Sequence, residues 1–168
     1  MNKGETLRLL TNGHKYAISV VLSISNDRLL SGSTDSNIVL WDVNTGNIIR
    51  FLIGHRNIIL SFLLLPDGSL ASSSSDNSIR IWNLDTGTTM RTINGNTNSV
   101  ECMTLLNDGI TLISGSVDWS IKLWNSNNAQ LLGVISDHRN WVTSLVTLPD
   151  GRFASGSYSE IKIWNLYR

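Results

Sequence analysis

Serine, histidine and aspartate recur together in this sequence, and these are the three side chains that form a nucleophilic catalytic triad. His14, Ser31 and Asp35 make up the first set, and a second set of the same types follows 41 residues later. In a triad, an exposed serine attacks the substrate while a carboxylate-oriented histidine takes its proton. Here each set is followed by a tryptophan and the whole pattern repeats, which is typical of a structural framework. We therefore expect no catalytic residue and no enzyme activity.

Metal and cofactor chemistry have little support in the sequence. The three histidines belong to three different parts of the chain and have no cysteine nearby, so no zinc-ligand spacing is present. No glycine-rich phosphate loop follows an apolar segment. Cys102 lies within an apolar stretch and is expected in the core. We predict no metal and no cofactor.

Composition and charge narrow the class of protein further. The 168 residues are 41% hydrophobic and 15% charged, as expected of a folded globular protein. The 13 basic and 13 acidic side chains balance, which argues against a nucleic-acid partner. The apolar run 58–65 is too short to span a membrane, and the N-terminus lacks a signal-peptide core. With a single cysteine, a soluble cytoplasmic protein is predicted.

A twelve-residue pattern appears four times, at 31–42, 72–83, 114–125 and, one residue shorter, 155–165. The tryptophans that end it are spaced by 41, 42 and 40 residues, and a period near forty marks a repeat architecture. Each unit divides into short apolar segments separated by turn residues, and no helical periodicity is sustained. The sequence therefore predicts an all-β protein with four short strands per unit.

Gly-His near the start of a unit and Trp-Asp or Trp-Asn near its end resemble WD40 repeats. The resemblance covers residues 4–168 and leaves 1–3 as a tail. It implies a β-propeller with one four-stranded blade per repeat around a central channel. It also implies a buried hydrogen-bonded network in each blade. The residues of this chain that correspond to the WD40 network positions are His14, Ser31, Asp35, Trp41, His55, Ser72, Asp76, Trp82, Ser114, Asp118, Trp124, His138, Ser155 and Trp164.

Two units depart from the WD40 pattern. The third has Asn96 where the histidine of Gly-His belongs. The fourth has a shorter turn, Tyr158–Glu160, without an aspartate. We expect both networks to be incomplete and both blades to be less rigid.

The number of strands raises the question of how the array ends. Gly4 and Arg8 repeat the offset of Gly46 and Arg50, so residues 5–10 are predicted to form a fourth strand that precedes its own blade. That strand would complete the last blade, within the chain or in a partner chain. Three arrangements remain open: a four-bladed monomer, an eight-bladed homodimer and a piece of a longer propeller. We favour the homodimer, because two identical junctions pair every strand edge.

The resemblance implies a scaffold that binds a protein or peptide on the face around the channel opening. Among the positions carried over, the aromatic residues Trp141 and Tyr158 are the strongest candidates. Trp119, Arg56 and Arg139 are further surface candidates. The alternatives are a small ligand or a reaction in the central channel, or a structural module of a larger protein. The predicted partner-binding residues are Ala17, Ser19, Thr34, Ile58, Leu60, Ser75, Ser99, Glu101, Val117, Trp141, Thr143 and Tyr158.

Overall fold

The computed structural model describes residues 4–166, so the predicted tail 1–3 and the last two residues of the array lie outside the described residues. The chain consists of strands joined by turns. In chain order the strands are β1 Ile18–Ser23, β2 Arg28–Ser33, β3 Ile38–Asp42, β4 Ile48–Leu52, β5 Ile59–Leu64, β6 Leu70–Ser74, β7 Ile79–Trp82, β8 Thr89–Ile93, β9 Val100–Leu105, β10 Thr111–Ser116, β11 Ile121–Asn125, β12 Leu131–Ile135, β13 Ser144–Thr147, β14 Phe153–Gly156 and β15 Ile161–Trp164.

The strands form four antiparallel sheets, and within each sheet the consecutive strands of the chain are paired. Strands β1–β4, β5–β8 and β9–β12 form the first three blades, and β13–β15 form a three-stranded fourth blade. The all-β class and the blade-per-repeat organisation are confirmed. The innermost strand of each blade packs against that of the next, β1 on β5, β5 on β9 and β9 on β13.

Small residues in the second strand of each blade allow the next blade to approach closely. A Cβ atom added to Gly32 would lie 2.6 Å from the Cγ2 atom of Ile59, and one added to Gly115 would lie 2.6 Å from the Cγ1 atom of Val142. Both apolar side chains are fully buried. The recurring Ser-Gly-Ser motif is therefore explained by packing between blades, where burial of each such side chain stabilises the array by about 1.5–3 kcal/mol.

The predicted N-terminal strand is not formed in the single chain. Residues 4–10 have no strand structure, and no ladder joins them to β15. They lie beside the first blade, where the Nη1 atom of Arg8 donates a hydrogen bond of 2.9 Å to the carbonyl of Thr45. The structure therefore does not contain a ring of four blades closed within one chain by this strand, which was one of the three arrangements left open by the sequence.

Candidate interaction face

The second blade has the most regular hydrogen-bond network. The Oγ atom of Ser72 lies 2.8 Å from the Nε2 atom of His55 and accepts a 2.8 Å hydrogen bond from the indole of Trp82. The Nδ1 atom of His55 lies 2.8 Å from a carboxylate oxygen of Asp76. This is the order of groups in a catalytic triad, but Ser72 is fully buried and covered by the indole. A substrate has no access to that hydroxyl, so the set of residues is structural.

The first blade has the same arrangement. The Nε2 atom of His14 is 2.8 Å from the Oγ atom of Ser31, which also accepts a 2.7 Å hydrogen bond from Trp41. The carboxylate of Asp35 lies 3.2 Å from the Nδ1 atom of His14 and accepts a backbone N–H at 2.8 Å from Lys15. The network thus joins the turn after β2 to the loop before β1, and it holds both at one end of the blade.

The fourth network contradicts our expectation that it would be incomplete. The Oε1 atom of Glu160 lies 2.7 Å from the Nδ1 atom of His138, in the role that aspartate has elsewhere. The Nε2 atom of His138 is 2.6 Å from the Oγ atom of Ser155, which accepts from Trp164 at 2.7 Å. The turn is one residue shorter than in the other blades, but the glutamate side chain is one methylene longer than that of aspartate and therefore reaches His138. A complete set of four side chains is therefore present.

The third network lacks its histidine contacts. Asn96 is buried, and neither its amide nitrogen nor its amide oxygen has a hydrogen-bond partner. Ser114 still accepts a 2.8 Å hydrogen bond from Trp124. The carboxylate of Asp118 is paired with the Nζ atom of Lys122 at 2.8 Å. This lysine was not predicted from the sequence. Its position four residues after the turn aspartate was the one indication of the pair.

We call the end of the blades that carries these turns and loops the network face. There, in the first three blades, the residue before the turn aspartate donates its backbone N–H to the carbonyl of the residue that directly precedes the inner strand. These bonds join Thr34 to Ala17 at 3.0 Å, Ser75 to Ile58 at 2.9 Å and Val117 to Ser99 at 3.0 Å. The structure thus joins two of the three partner-binding residues predicted in each of the first three units. Their role in binding stays a prediction.

The fourth blade presents its predicted residues differently. Thr143 bonds through its N–H to the carbonyl of Gly156 at 3.0 Å, and Tyr158 belongs to the shortened turn. Tyr158 is 88% exposed and Trp141 is 53% exposed, so both rings are accessible to a partner. Arg56 and Arg139 are exposed as well. Aromatic side chains and arginines exposed on one face are typical of protein-recognition sites.

Three of the predicted residues share a feature that the sequence did not reveal. Ser19, Leu60 and Glu101 are the extra residues of β-bulges in β1, β5 and β9, since the ladder to the second strand skips each of them. A bulge leaves one residue without a ladder partner and redirects its side chain. The hydroxyl of Ser19 reaches the carbonyl oxygens of Gly32 and of Ile59 in the next blade.

The opposite end of the molecule has a cleft between the first two blades. Its volume is about 530 Å³, and it is lined mainly by Ile24, Asp27, Leu64, Asp67, Asp85 and Met90. Among residues 4–166, no three His, Cys, Asp or Glu side chains are grouped as a metal ion would require. In the same part of the chain, no helix has the length and apolar character needed to cross a bilayer.

The comparison with protein families identifies the class. The family described as "WD domain, G-beta repeat" matches residues 4–42, 46–83, 87–125 and 129–165, so the chain belongs to the WD40-repeat family. Propellers of this family are typically scaffolds for protein interactions and are generally not catalytic. No curated protein matches the chain.

Two solved structures resemble the chain over nearly all of its length. The WD40 β-propeller domain of Doa1 aligns with a TM-score of 0.84 at 25% identity, covering 93% of this chain and 53% of that one. The computationally designed Ika4 protein aligns with a TM-score of 0.83 at 27% identity, covering 96% of this chain and 98% of that one. The chain thus spans about half the length of the Doa1 domain.

Proposed function

We propose that this protein is a non-catalytic scaffold that binds a protein or peptide on the network face, and that two copies form an eight-bladed ring. The observation that carries the proposal is that the two open ends of the array complement each other in the same way as its internal junctions. The burial of each network serine beneath an indole supports a structural role for the serine–histidine sets.

The first blade presents an unburied apolar side chain. Ile59 and Val100 are the first residues of β5 and β9, and Val142 lies two residues before β13; all three are fully buried against the preceding blade. Ile18 occupies the equivalent position in the first blade and is 51% exposed. Burial of such a side chain stabilises an interface by about 1.5–3 kcal/mol, which favours a preceding blade at this end.

The fourth blade has a matching hollow, by which we mean the open space next to Gly156. Gly32 and Gly115 lie beneath the apolar side chain of the next blade, whereas a Cβ atom added to the equivalent Gly156 would meet only Ser144 of its own blade, at 3.4 Å. In a ring of two copies, Ile18 of each copy would occupy the hollow at Gly156 of the other. Twofold symmetry then fills both hollows and leaves no open end.

Residues 4–10 support the same arrangement. The hydrogen bond from Arg8 to Thr45 at 2.9 Å has a counterpart in the bond from Arg50 to Thr86 at 3.1 Å. Arg50 belongs to β4, the outer strand of the blade that precedes the second blade. By analogy, residues 4–10 would pair with β15 of the partner copy, whose outer edge has no ladder partner among the described strands.

The ring is tested by the solution mass, measured by light scattering behind size exclusion. We expect a mass twice that of the 18.6 kDa chain. The substitution Gly156→Val fills the hollow without touching another blade of the same chain, so it should yield a folded protein of monomeric mass. In the matched variant Gly115→Val, the added carbons meet Val142 and Cys102 within the chain, so thermal stability should fall instead. A monomeric mass for the unaltered protein would overturn the ring.

The binding role is tested with peptides selected from a displayed random library against the unaltered protein. Selected peptides should bind at least about tenfold more weakly to Trp141→Ala, since truncating a central aromatic anchor typically costs more than 1 kcal/mol. Val43→Ala, an exposed apolar residue next to the turn between β3 and β4, is the control and should retain binding. Failure to enrich any peptide, or equal binding to both variants, would overturn a peptide-binding role on the network face.

A further inference from the structure

The bulge residue of the first inner strand lies beside two backbone carbonyl groups. The hydroxyl of Ser19 donates hydrogen bonds to the carbonyl oxygens of Gly32 and of Ile59 in the next blade. The equivalent position in the third blade is Glu101, but there the Sγ atom of Cys102 makes the bond to the carbonyl of the next blade, at Val142. An ionised carboxylate has no proton to donate, so Glu101 cannot make the bonds that Ser19 makes.

Glu101 has no counter-charge within the chain. It is half-buried, no hydrogen bond or ion pair involves it among the described residues, and burial alone raises the pKa of its carboxyl. The buried cation of the same blade, Lys122, is already bound to Asp118 and Ser120. A half-buried carboxylate without a donor is unfavourable, and structures normally supply such groups with one.

Two exposed indoles are anchored next to this position. The carbonyl of Ser116 accepts the backbone N–H of Trp119 and that of Val142, both at 3.1 Å, and Trp141 directly precedes Val142. Cys102, the neighbour of Glu101, donates through its Sγ atom to the carbonyl of Val142. Val100, which directly precedes Glu101, pairs with Ser116 as well, so the backbones of Glu101, Trp119 and Trp141 all lie next to Ser116 at the junction between the third and fourth blades.

Trp119 is not explained by packing within the chain. Its ring is 51% exposed, and its φ of 70° lies in the left-handed region, where Ser36 and Asn77 occupy the equivalent positions of the first two turns. A bulky residue in this conformation is strained, and strain of this kind is found at binding sites. Indole faces attract cations, most strongly when the cation is partly desolvated.

We propose that Glu101, with Trp119 and Trp141 beside it, receives a lysine or arginine side chain of the bound peptide. The cationic group donates hydrogen bonds to the Glu101 carboxylate, and the indoles cover its aliphatic stem and charged head. This proposal rests on the proposed function, since it specifies the chemistry of the partner that the network face binds.

The test uses labelled peptide pools that differ only at a fixed central residue: arginine, lysine, glutamine or glutamate. We expect the unaltered protein to bind the arginine or lysine pool about tenfold more tightly than the glutamine pool, as for a partly buried charge pair. Glu101→Gln should abolish the preference, because it removes the charge and keeps the size. Asp85→Asn removes one negative charge from an exposed turn between β7 and β8 and should leave the preference intact.

A second measurement excludes misfolding as the cause. Because the charge of Glu101 is desolvated without a partner, Glu101→Gln should be at least as thermally stable as the unaltered protein. Equal binding of the glutamine pool, or an unchanged preference in Glu101→Gln, would overturn the proposal. If pools bind through Trp141 without preference for a cation, the scaffold function stands and this proposal fails. If no pool binds, peptide binding on this face is contradicted as well.

Discussion

At the scale of single residues, the hydroxyl of Ser72 shows how burial decides the role of a side chain. It accepts from an indole and contacts an imidazole that is itself bound to Asp76, so its hydrogen-bonding groups are used within the blade. Such buried polar networks are stabilising when every member is satisfied and unfavourable when one is not. The network of the second blade is satisfied, whereas that of the third blade, which contains Asn96, is not.

Asn96 is the member left unsatisfied, and replacing it with histidine should stabilise the protein. Asn96→His would place an imidazole next to Ser114 and Asp118, as His55 lies next to Ser72 and Asp76. We expect the free energy of unfolding to rise on the order of 1–2 kcal/mol, because a buried unpaired group is removed. Urea denaturation measures the change. The reverse change, His55→Asn, should lower stability by at least as much, and equal stability of both variants would contradict the argument.

The ionisation of Asp76 in the network of the second blade indicates how the stability of the protein should depend on pH. Burial alone would raise the pKa of Asp76, but hydrogen bonds from His55, Ser78 and the backbone of Arg56 outweigh it and hold the pKa well below its ordinary value. Folding therefore favours the ionised form, so this contribution is complete above the unfolded pKa of about 3.9 and is lost as the pH falls below it. The free energy of unfolding should decrease on acidification below about pH 4. In Asp76→Asn this decrease should be shallower, and an unchanged slope would contradict the assignment.

At the scale of elements, residues 5–10 have the pattern of a strand but not the structure of one. A strand forms only when its N–H and C=O groups pair with a neighbour, and no ladder joins this segment to any of the described strands. The short turn of the fourth blade gives the opposite result. It lost an aspartate yet retained its network, because Glu160 is one methylene longer.

Removing residues 1–10 tests whether this segment, and not the contact between blades alone, holds two copies together. If it pairs with β15 of a partner copy, the truncated protein should have monomeric mass, and the backbone amides of β15 should exchange hydrogen faster. Removing residues 1–3 alone should change neither property. An unchanged mass and unchanged exchange after the longer truncation would mean that the segment completes no blade.

At the scale of the whole molecule, the ends of the array differ from its interior in exposure. Equivalent positions are fully buried at Ile59 and Val142 but exposed at Ile18, and hollows that are filled at Gly32 and Gly115 are open at Gly156. A repeat array buries each unit against its neighbours, so its two terminal faces are the places where a further partner adds most stability. The proposed ring satisfies both faces with one type of contact.

The repeat period, the all-β class and the turn positions followed from the sequence alone, and the resemblance to WD40 repeats supplied the network residues other than Glu160 and Lys122. They depend on local patterns, namely alternation of apolar residues, turn residues at fixed offsets and a polar set that recurs with a tryptophan, and these patterns are visible without coordinates. The partner-binding positions carried over from WD40 repeats were located by the same periodicity, and the structure brings three pairs of them together.

Only the tertiary structure decided which polar groups are satisfied and which surfaces remain open. Glu160 reaches His138 in place of an aspartate, Glu101 at its β-bulge has no hydrogen-bond or ion-pair partner among the described residues, and a Cβ atom on Gly156 would meet no second blade. Each of these facts depends on distances between residues far apart in the chain. A sequence determines such distances through folding but does not display them, because burial and hydrogen bonding are properties of the packed blades and not of any one repeat.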